Sequence, residues 1–286
     1  MESTAHAPVP VPRAEPHLVI EASRGWQLIN WRELLHYRDL FYFLVWRDIK
    51  VRYAQSVLGI GWAVIQPLFS MLVFTIVFGR LAKVSSDGAP YALFSFAAMV
   101  PWSYFANSLG DSSGSLASGQ SMLSKVYFPR LILPMVGVVS KLVDFVIALG
   151  VLALLMAWYR KVPTASVVFL PLLVIIMAVT ASGAGMWLSA LSVQYRDIRY
   201  GMGFGVQLLM YAAPVVYPAS LIPAEWQLAY ALNPMVGVIE GFRSALLATN
   251  PMPWAWIGVG ALVAAGLFLA GSLYFRRMER TFADVA

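Results

Sequence analysis

Long apolar blocks alternate along the chain with short charged ones. No Asp, Glu, Lys or Arg occurs in residues 53–79, 88–110, 162–195, 200–224 or 244–275. A helix that crosses the roughly 30 Å hydrocarbon layer needs about 20 apolar residues, and each block supplies that length. The pattern predicts an all-α, polytopic membrane protein. Six transmembrane helices are expected at 57–79, 91–112, 131–158, 167–193, 200–218 and 253–275, the third interrupted by Lys141 and Asp144.

Two segments depart from this pattern. Residues 31–55 mix aromatic and charged positions. On a helical wheel Arg32, His36, Asp39, Arg47 and Lys50 share one face, and Leu34, Tyr37, Phe41, Val45 and Ile49 share another. Such segregation predicts an amphipathic interface helix lying along the cytoplasmic membrane surface, either as an anchor or as a docking surface. Residues 219–250 are moderately apolar but carry Pro223, Glu225, Pro234, Glu240 and Arg243, and their uncharged run of 226–239 is too short to span. Two short re-entrant helices dipping into the outer leaflet are expected there, over a cavity. The division of the chain is then a flexible cytoplasmic tail (1–30), the interface helix (31–55), a six-span domain (56–278) and a short cytoplasmic tail (279–286).

Charge sets the orientation. With both termini in the cytoplasm, fifteen Lys and Arg fall on the inner side, Arg47, Lys50, Arg52, Lys125, Arg130, Arg196 and Arg276 among them. Five fall outside: Arg80, Lys83, Arg160, Lys161 and Arg243. This is the positive-inside bias. It also accounts for the net charge of +6 without nucleic acid. The first 30 residues hold four prolines and no apolar core, so no cleavable signal is expected.

Composition removes several kinds of chemistry. Hydrophobic residues make up 60% and charged residues 12%, about half the usual charged share. There is no cysteine, and His6, His17 and His36 all precede the first span. No phosphate-binding G-x-x-x-x-G-K-[ST] loop is present. Neither a bound metal nor catalysis by this chain is expected. A membrane-embedded enzyme would need convergent carboxylates or histidines, and an ion-coupled transporter a chain of ionisable groups. Lys141 and Asp144, three apart on one helical face, are expected to neutralise each other as a structural pair, with a proton relay the alternative. Glu240 and Arg243 repeat that spacing. The fifth span sets Phe204, Gln207, Tyr211 and Pro214 on one side with Tyr217 nearby, and the first sets Trp62, Gln66, Phe69 and Ser70 on one side with Pro67 a kink. Aromatic rings interspersed with amides suit sugars, and ordinary packing suits the same pattern. Ala181, Gly185 and Ser189 form a small-residue ridge for close helix contact.

Several segments together resemble one family. Arg47-Asp48-Ile49-Lys50-Val51-Arg52-Tyr53 leads into Leu58-Gly59, Trp62 and Gln66-Pro67. Lys125-Val126-Tyr127-Phe128-Pro129-Arg130 follows the second span, and Tyr195-Arg196-Asp197-Ile198-Arg199 the fourth. Pro214-Val215-Val216-Tyr217-Pro218 closes the fifth, and Leu232-Asn233-Pro234-Met235 and Gly241-Phe242-Arg243 lie beyond it. Over about 31–275 the ordered set resembles the type-2 ATP-binding-cassette permeases that export bacterial surface polysaccharides such as O-antigen, capsule and teichoic acid. The resemblance implies a homodimer in the bacterial inner membrane, joined to two copies of a cytoplasmic ATPase that binds ATP and Mg. It implies coupling to the ATPase through Arg47, Asp48, Lys50, Lys125, Arg130, Arg196 and Asp197. A path for lipid-linked glycan would be lined by Trp62, Gln66, Phe69, Phe204, Gln207, Tyr211 and Tyr217. An outer gate would include Asn233, Glu240 and Arg243. An exporter of small lipids or drugs from the same superfamily is the alternative.

Overall fold

The computed structural model describes residues 31–279, apart from 55–58, 60 and 124. The expected tails at 1–30 and 280–286 lie outside the described residues. Twelve α-helices follow one another, with no strand among the described residues: α1 (Trp31–His36), α2 (Arg38–Tyr53), α3 (Gly61–Phe74), α4 (Tyr91–Ser118), α5 (Gln120–Leu123), α6 (Ile132–Ser140), α7 (Leu142–Trp158), α8 (Leu170–Gln194), α9 (Asp197–Tyr211), α10 (Ala224–Tyr230), α11 (Pro234–Leu247) and α12 (Trp254–Glu279). A π-helical stretch, Thr75–Leu81, continues α3 beyond Pro67.

By length and composition, four helical segments suffice to cross a membrane: Gly61–Leu81, Ile132–Trp158, Ala165–Gln194 and Trp254–Glu279. The other two expected spans fall short for different reasons. Helix α4 is 28 residues long but carries Ser95, Ser108, Asp111, Ser112, Ser113 and Ser115. Helix α9 has only 15 residues and ends at Tyr211, so residues 212–218, expected to complete a span, leave the helix. As the chain pattern predicts, the third apolar block breaks at its charges, with Lys141 between α6 and α7.

Helix α4 is the hub. It packs on α8, α6, α11, α7, α3 and α9. Its small hydroxyl residues are what permit this. The expected ridge on α8 meets it, since Gly185 faces Ser112 so closely that a Cβ would collide. Ser115 Oγ lies 3.2 Å from Ser189 Oγ, and Ser192 Oγ donates to the Ser113 carbonyl at 3.0 Å. The opposite side of α8 meets α12 in the same manner. A Cβ on Gly183 would lie 2.5–2.6 Å from the backbone of Leu267 and Phe268. Helices in lipid gain little from apolar burial and associate through such close backbone approach.

Helix α2 is less peripheral than its amphipathic pattern suggests. Leu34, Tyr37, Leu40, Phe41 and Val45 pack with buried Leu44 onto a second cluster that includes Leu116, Phe128, Ile132, Met186 and Phe275. That face is therefore partly covered by the chain's own helices, while Tyr42, Phe43 and Trp46 of the same helix stay exposed. A break at Tyr37 divides the expected single helix in two. His36, Asp39, Arg47 and Lys50 remain exposed opposite. Helices α3 and α9, by contrast, contain no buried residue.

Gly183→Ala is expected to destabilise the fold by about 1–3 kcal/mol through overpacking against α12. Gly258→Ala on the same helix pair, with nothing within 4 Å of the new methyl, should have no such cost. Thermal loss of monodisperse elution in detergent measures both. An equal drop for the two would mean that the α8–α12 contact is not limiting.

Candidate functional site

Two groups of polar residues stand out toward the two ends of α4, one partly buried and the other fully enclosed. The first frames a cleft of about 270 Å³ between the end of α2, the start of α3, α4 and the α6–α7 break. Its walls include Arg52, Tyr53, Trp62, Gln66, Asn107, Lys141 and Asp144. Arg52 closes one side. It reaches Asp144 at 2.8 Å, Asp48 one turn earlier at 2.9 Å, Asp111 at 3.4 Å and Ser140 Oγ at 3.3 Å. Tyr53 Oη donates to Asp144. Burial, reinforced by that carboxylate, pushes the Tyr53 phenol up to about 12, so it stays a donor at physiological pH. Lys141 Nζ sits 2.6 Å from Asp111.

This corrects the expected Lys141–Asp144 pair. Each takes its partner from another helix, Asp111 of α4 for Lys141 and Arg52 of α2 for Asp144. Lys141 caps the start of α7 and keeps helical spacing to Asp144, but Asp111 and Arg52 on neighbouring helices take the two charges instead. Asp111 carries its own signal, a lone carboxylate inside an expected span that demands a partner. Arg52 lies 92 residues before Asp144, and no local pattern joins them.

The second group lies beyond α9. Residues 213–216 are buried and not helical, so their backbone groups need partners. Arg243 supplies them. Its guanidinium donates to the Val215 carbonyl at 2.9 Å, the Tyr217 carbonyl at 3.3 Å and the Phe94 carbonyl at 3.4 Å, and lies over the Phe94 ring at 3.5 Å. Tyr91 Oη donates to the Val216 carbonyl between them at 2.6 Å. Glu240 neutralises Arg243 at 2.8 Å and accepts from the Ala219 amide at 3.2 Å. Here the expected three-residue pair is present, with both side chains buried. Every residue of α11 is buried, so it packs on α12, α4 and α8 rather than over the expected cavity. Asn233 caps it, its side chain accepting from Met235 N at 3.1 Å, with Pro234 at the first helical position, where a missing N–H costs nothing.

The remaining expected site residues distribute as follows. Trp62 and Gln66 line the cleft. Phe69, one turn on, is 66% exposed. Phe204, Gln207 and Tyr211 are exposed on α9, which packs on α4 and α8, while α3 packs on α4 and α7. The two sets occupy different helices and do not form one surface within the chain. Tyr217 Oη donates to the Tyr211 carbonyl at 2.8 Å and lies 3.0 Å from Tyr230 Oη. Arg47, Lys50, Lys125, Arg196 and Asp197 are exposed, with the Lys50 ammonium over the Trp46 ring at 5.2 Å. Asp48 is committed to Arg52, and Arg130 is tied to the end of α12 through the Glu279 carbonyl at 3.1 Å.

Helices of this order, with the Arg-Asp, Asn-Pro and Phe-Arg segments at these structural positions, invite comparison with known proteins. Residues 39–247 match the family model described as ABC-2 type transporter. This chain belongs to the ABC-2 type transporter family. It is 32% identical over 257 residues to the O-antigen export system permease protein RfbA of Myxococcus xanthus, covering 88% of this chain and 97% of the relative. It is 25% identical over 248 residues to the RfbA protein of Klebsiella pneumoniae, covering 86% and 95%. The polysialic acid transport protein KpsM of Escherichia coli is 21% identical over 241 residues, covering 82% and 91%. The family match spans both polar groups, from Asp48 to Arg243. This ABC-2 chain is thus a multi-pass membrane transport protein.

Two outcomes test the two groups. Arg243→Met strips three carbonyls and leaves Glu240 buried and unpaired, at an expected cost of about 3–5 kcal/mol. Arg243→Lys should fall between it and the wild type, because an ammonium lacks the planar fork. The yield of folded chain and its melting temperature read both, and a stable Arg243→Met protein would remove the proposed tie. At the other end, Arg52→Ala and Asp144→Ala should be non-additive by about 0.5–3 kcal/mol in a double-mutant cycle. Additive losses would mean that their contact contributes nothing.

Proposed function

We propose that this chain is the transmembrane subunit of an ATP-driven exporter that moves lipid-linked surface polysaccharide, of the O-antigen kind, out of the cytoplasm. The observation that carries the reading is the match over almost the full length of relatives named for O-antigen export, supported by a further relative named for polysialic acid transport. Small-lipid or drug export has no such support among the relatives that cover most of the chain.

In this reading α4 and α9 complete six crossings with the four longer apolar segments. The distribution of Lys and Arg supports cytoplasmic termini in the bacterial inner membrane. Two copies of the chain form the permease. The exposed apolar sides of α3 and α9, which nothing in one chain covers, support that pairing, and pairing would bring Phe69 of one subunit toward Phe204, Gln207 and Tyr211 of the other. Hydrolysis belongs to a separate ATPase that holds ATP and Mg and is present in two copies. Arg47, Lys50, Lys125, Arg196 and Asp197 are its contacts, since they are charged and free on the cytoplasmic side. Arg130 relays motion inward because it is bonded to the end of α12, and Asp48 does so through Arg52 of its own helix, which reaches Asp144 of α7. At the far end α10 and α11 form the re-entrant gate, and Asn233, Glu240 and Arg243 act by holding its backbone.

Deletion of the gene in its native host, followed by fractionation of long-chain glycan, tests this reading. Polymer trapped inside the cytoplasmic membrane is the expected outcome, and polymer at normal surface levels rejects the cargo. Lys125→Glu with Arg47→Glu should reduce co-purification of the ATPase by about tenfold without loss of folded permease. Full retention of the partner would reject those contacts.

A further inference from the structure

The cleft framed by Arg52, Asp144 and Lys141 is built differently from the exposed aromatic sides of α3 and α9, and its chemistry is selective. Its two cations are both committed. Arg52 contacts three carboxylates and Lys141 contacts Asp111 at 2.6 Å. Of the charged groups only Arg52, Lys141 and Asp144 line the cleft itself, and Asp48 and Asp111 pair with its two cations from outside it. A phosphate or pyrophosphate would find no uncommitted cation there and would have to displace a carboxylate from each cation it met. A neutral ligand with many hydroxyls meets no such barrier, because paired carboxylates and Tyr53 still offer acceptors and a donor.

Uncharged groups complete the site. Trp62 is 54% exposed and supplies one face of the cleft. The side-chain amides of Gln66 and Asn107 point to the same space and take no partner within the described residues. Ser70 and Ser103 add hydroxyls to the lining. An aromatic plane beside amides and carboxylates binds the apolar face of a sugar ring while bonding its rim. The volume of about 270 Å³ lies just below the roughly 300–1,000 Å³ of small-molecule pockets. It admits a ring or two of a glycan and no longer segment.

Depth points the same way. Asn107 is sixteen residues from the start of α4, about 24 Å along the helix at 1.5 Å per residue, and Asp111 is about 30 Å along. In the topology proposed above, with the start of α4 outward, Asn107 and Asp111 lie toward the cytoplasmic end of α4, where a cytoplasmic glycan would first meet the permease. Charged groups at that depth are costly unless paired or hydrated, and these are paired. No grouping of three acidic or histidine side chains that could hold a metal occurs among the described residues.

We infer that this cleft is an entry subsite that seats a neutral glycosyl unit of the cargo, stacked on Trp62 and hydrogen-bonded by Gln66 and Asn107. The inference rests on the polysaccharide reading above and adds a site to it. A photoreactive p-benzoylphenylalanine placed at Asn107 in the full chain, expressed with its ATPase in the native host, tests it. Irradiation should attach glycan to the permease, seen as a ladder on a glycan blot. The same probe at Leu154, which is 72% exposed on α7, should attach none. Trp62→Ala should lower export by about tenfold, the worth of one aromatic contact, and Trp62→Phe should recover most of it. An adduct at Asn107 that contains phospholipid and no glycan overturns the subsite. So does glycan captured from Tyr211 but not from Asn107. If deletion traps polymer and Asn107 still captures none, only the subsite fails. If deletion leaves surface polymer normal, the cargo reading fails and the subsite with it.

Discussion

A buried stretch of backbone that is not helical must have its hydrogen bonds satisfied by something, and here that something is Arg243. Residues 213–218 pass through turns, largely buried, and local backbone bonds satisfy the carbonyls of Ala213 and Pro218 but not those of Val215, Val216 and Tyr217. One guanidinium reaches the carbonyls of Val215, Tyr217 and Phe94, Tyr91 takes the carbonyl of Val216, and Glu240 holds both the guanidinium and the Ala219 amide. The planar fork matters because the acceptors lie in several directions and are fixed. Much of the arrangement follows from this point. Helix α9 can end after 15 residues, the chain can turn back through α10, and α11 can be wholly enclosed. The top of α4 is held against all three.

The opposite end of α4 solves a different problem with the same means. Small hydroxyl residues let α8 approach α4 closely, and α12 closes on α8 through Gly183 and Gly271. A helix so rich in serine has lost the apolar character of an ordinary span, and it tolerates this by being shielded on most sides. That shielding leaves room for Asp111 near its inner end, and Asp111 in turn gives Lys141 a partner. The break between α6 and α7 then presents Asp144 toward Arg52. The surface helix α2 is thereby tied to the transmembrane bundle by charge as well as by Leu44. The pairs join α2 directly to α4 and α7, and they are ionic and only partly buried.

Features set by local spacing were legible in the chain; those set by meetings between distant segments were not. Helical blocks could be read because uncharged runs of more than twenty residues have few other structures open to them. The interruption at Lys141 and the two short helices between residues 219 and 250 were legible because charge and proline act locally. The Glu240–Arg243 pair could be read because both residues lie on one unbroken helix. Lys141 and Asp144 have the same spacing at the start of α7, but each finds its partner on another helix. The apolar face of α2 was read correctly as a face, while what covers it, a cluster drawn from α4, α6, α8 and α12, is a property of the assembled bundle. Asp111, inside the expected second span, signalled the need for a partner but not which one. Its place beside Arg52, 59 residues earlier, emerges only when α2 and α4 are set side by side.

The two ends of α4 differ in a manner that suits passage of a long polymer. At the Arg243 end the guanidinium and Glu240 are buried and bonded to each other and to backbone, so neither is offered to a ligand. At the inner end the charges are neutralised among themselves, while an exposed indole and two amides remain unsatisfied. A site with a free cation would hold a phosphate tightly and slow everything behind it, and conduction requires that each binding step be weak enough to reverse. Stacking on one ring and a few hydrogen bonds to neutral groups is weak in that sense, and it repeats with every sugar. The aromatic residues on the outward faces of α3 and α9 have the same character. Selection for sugar over anion at the entrance, followed by contacts that never become strong, is what this distribution of charge and aromatic surface favours.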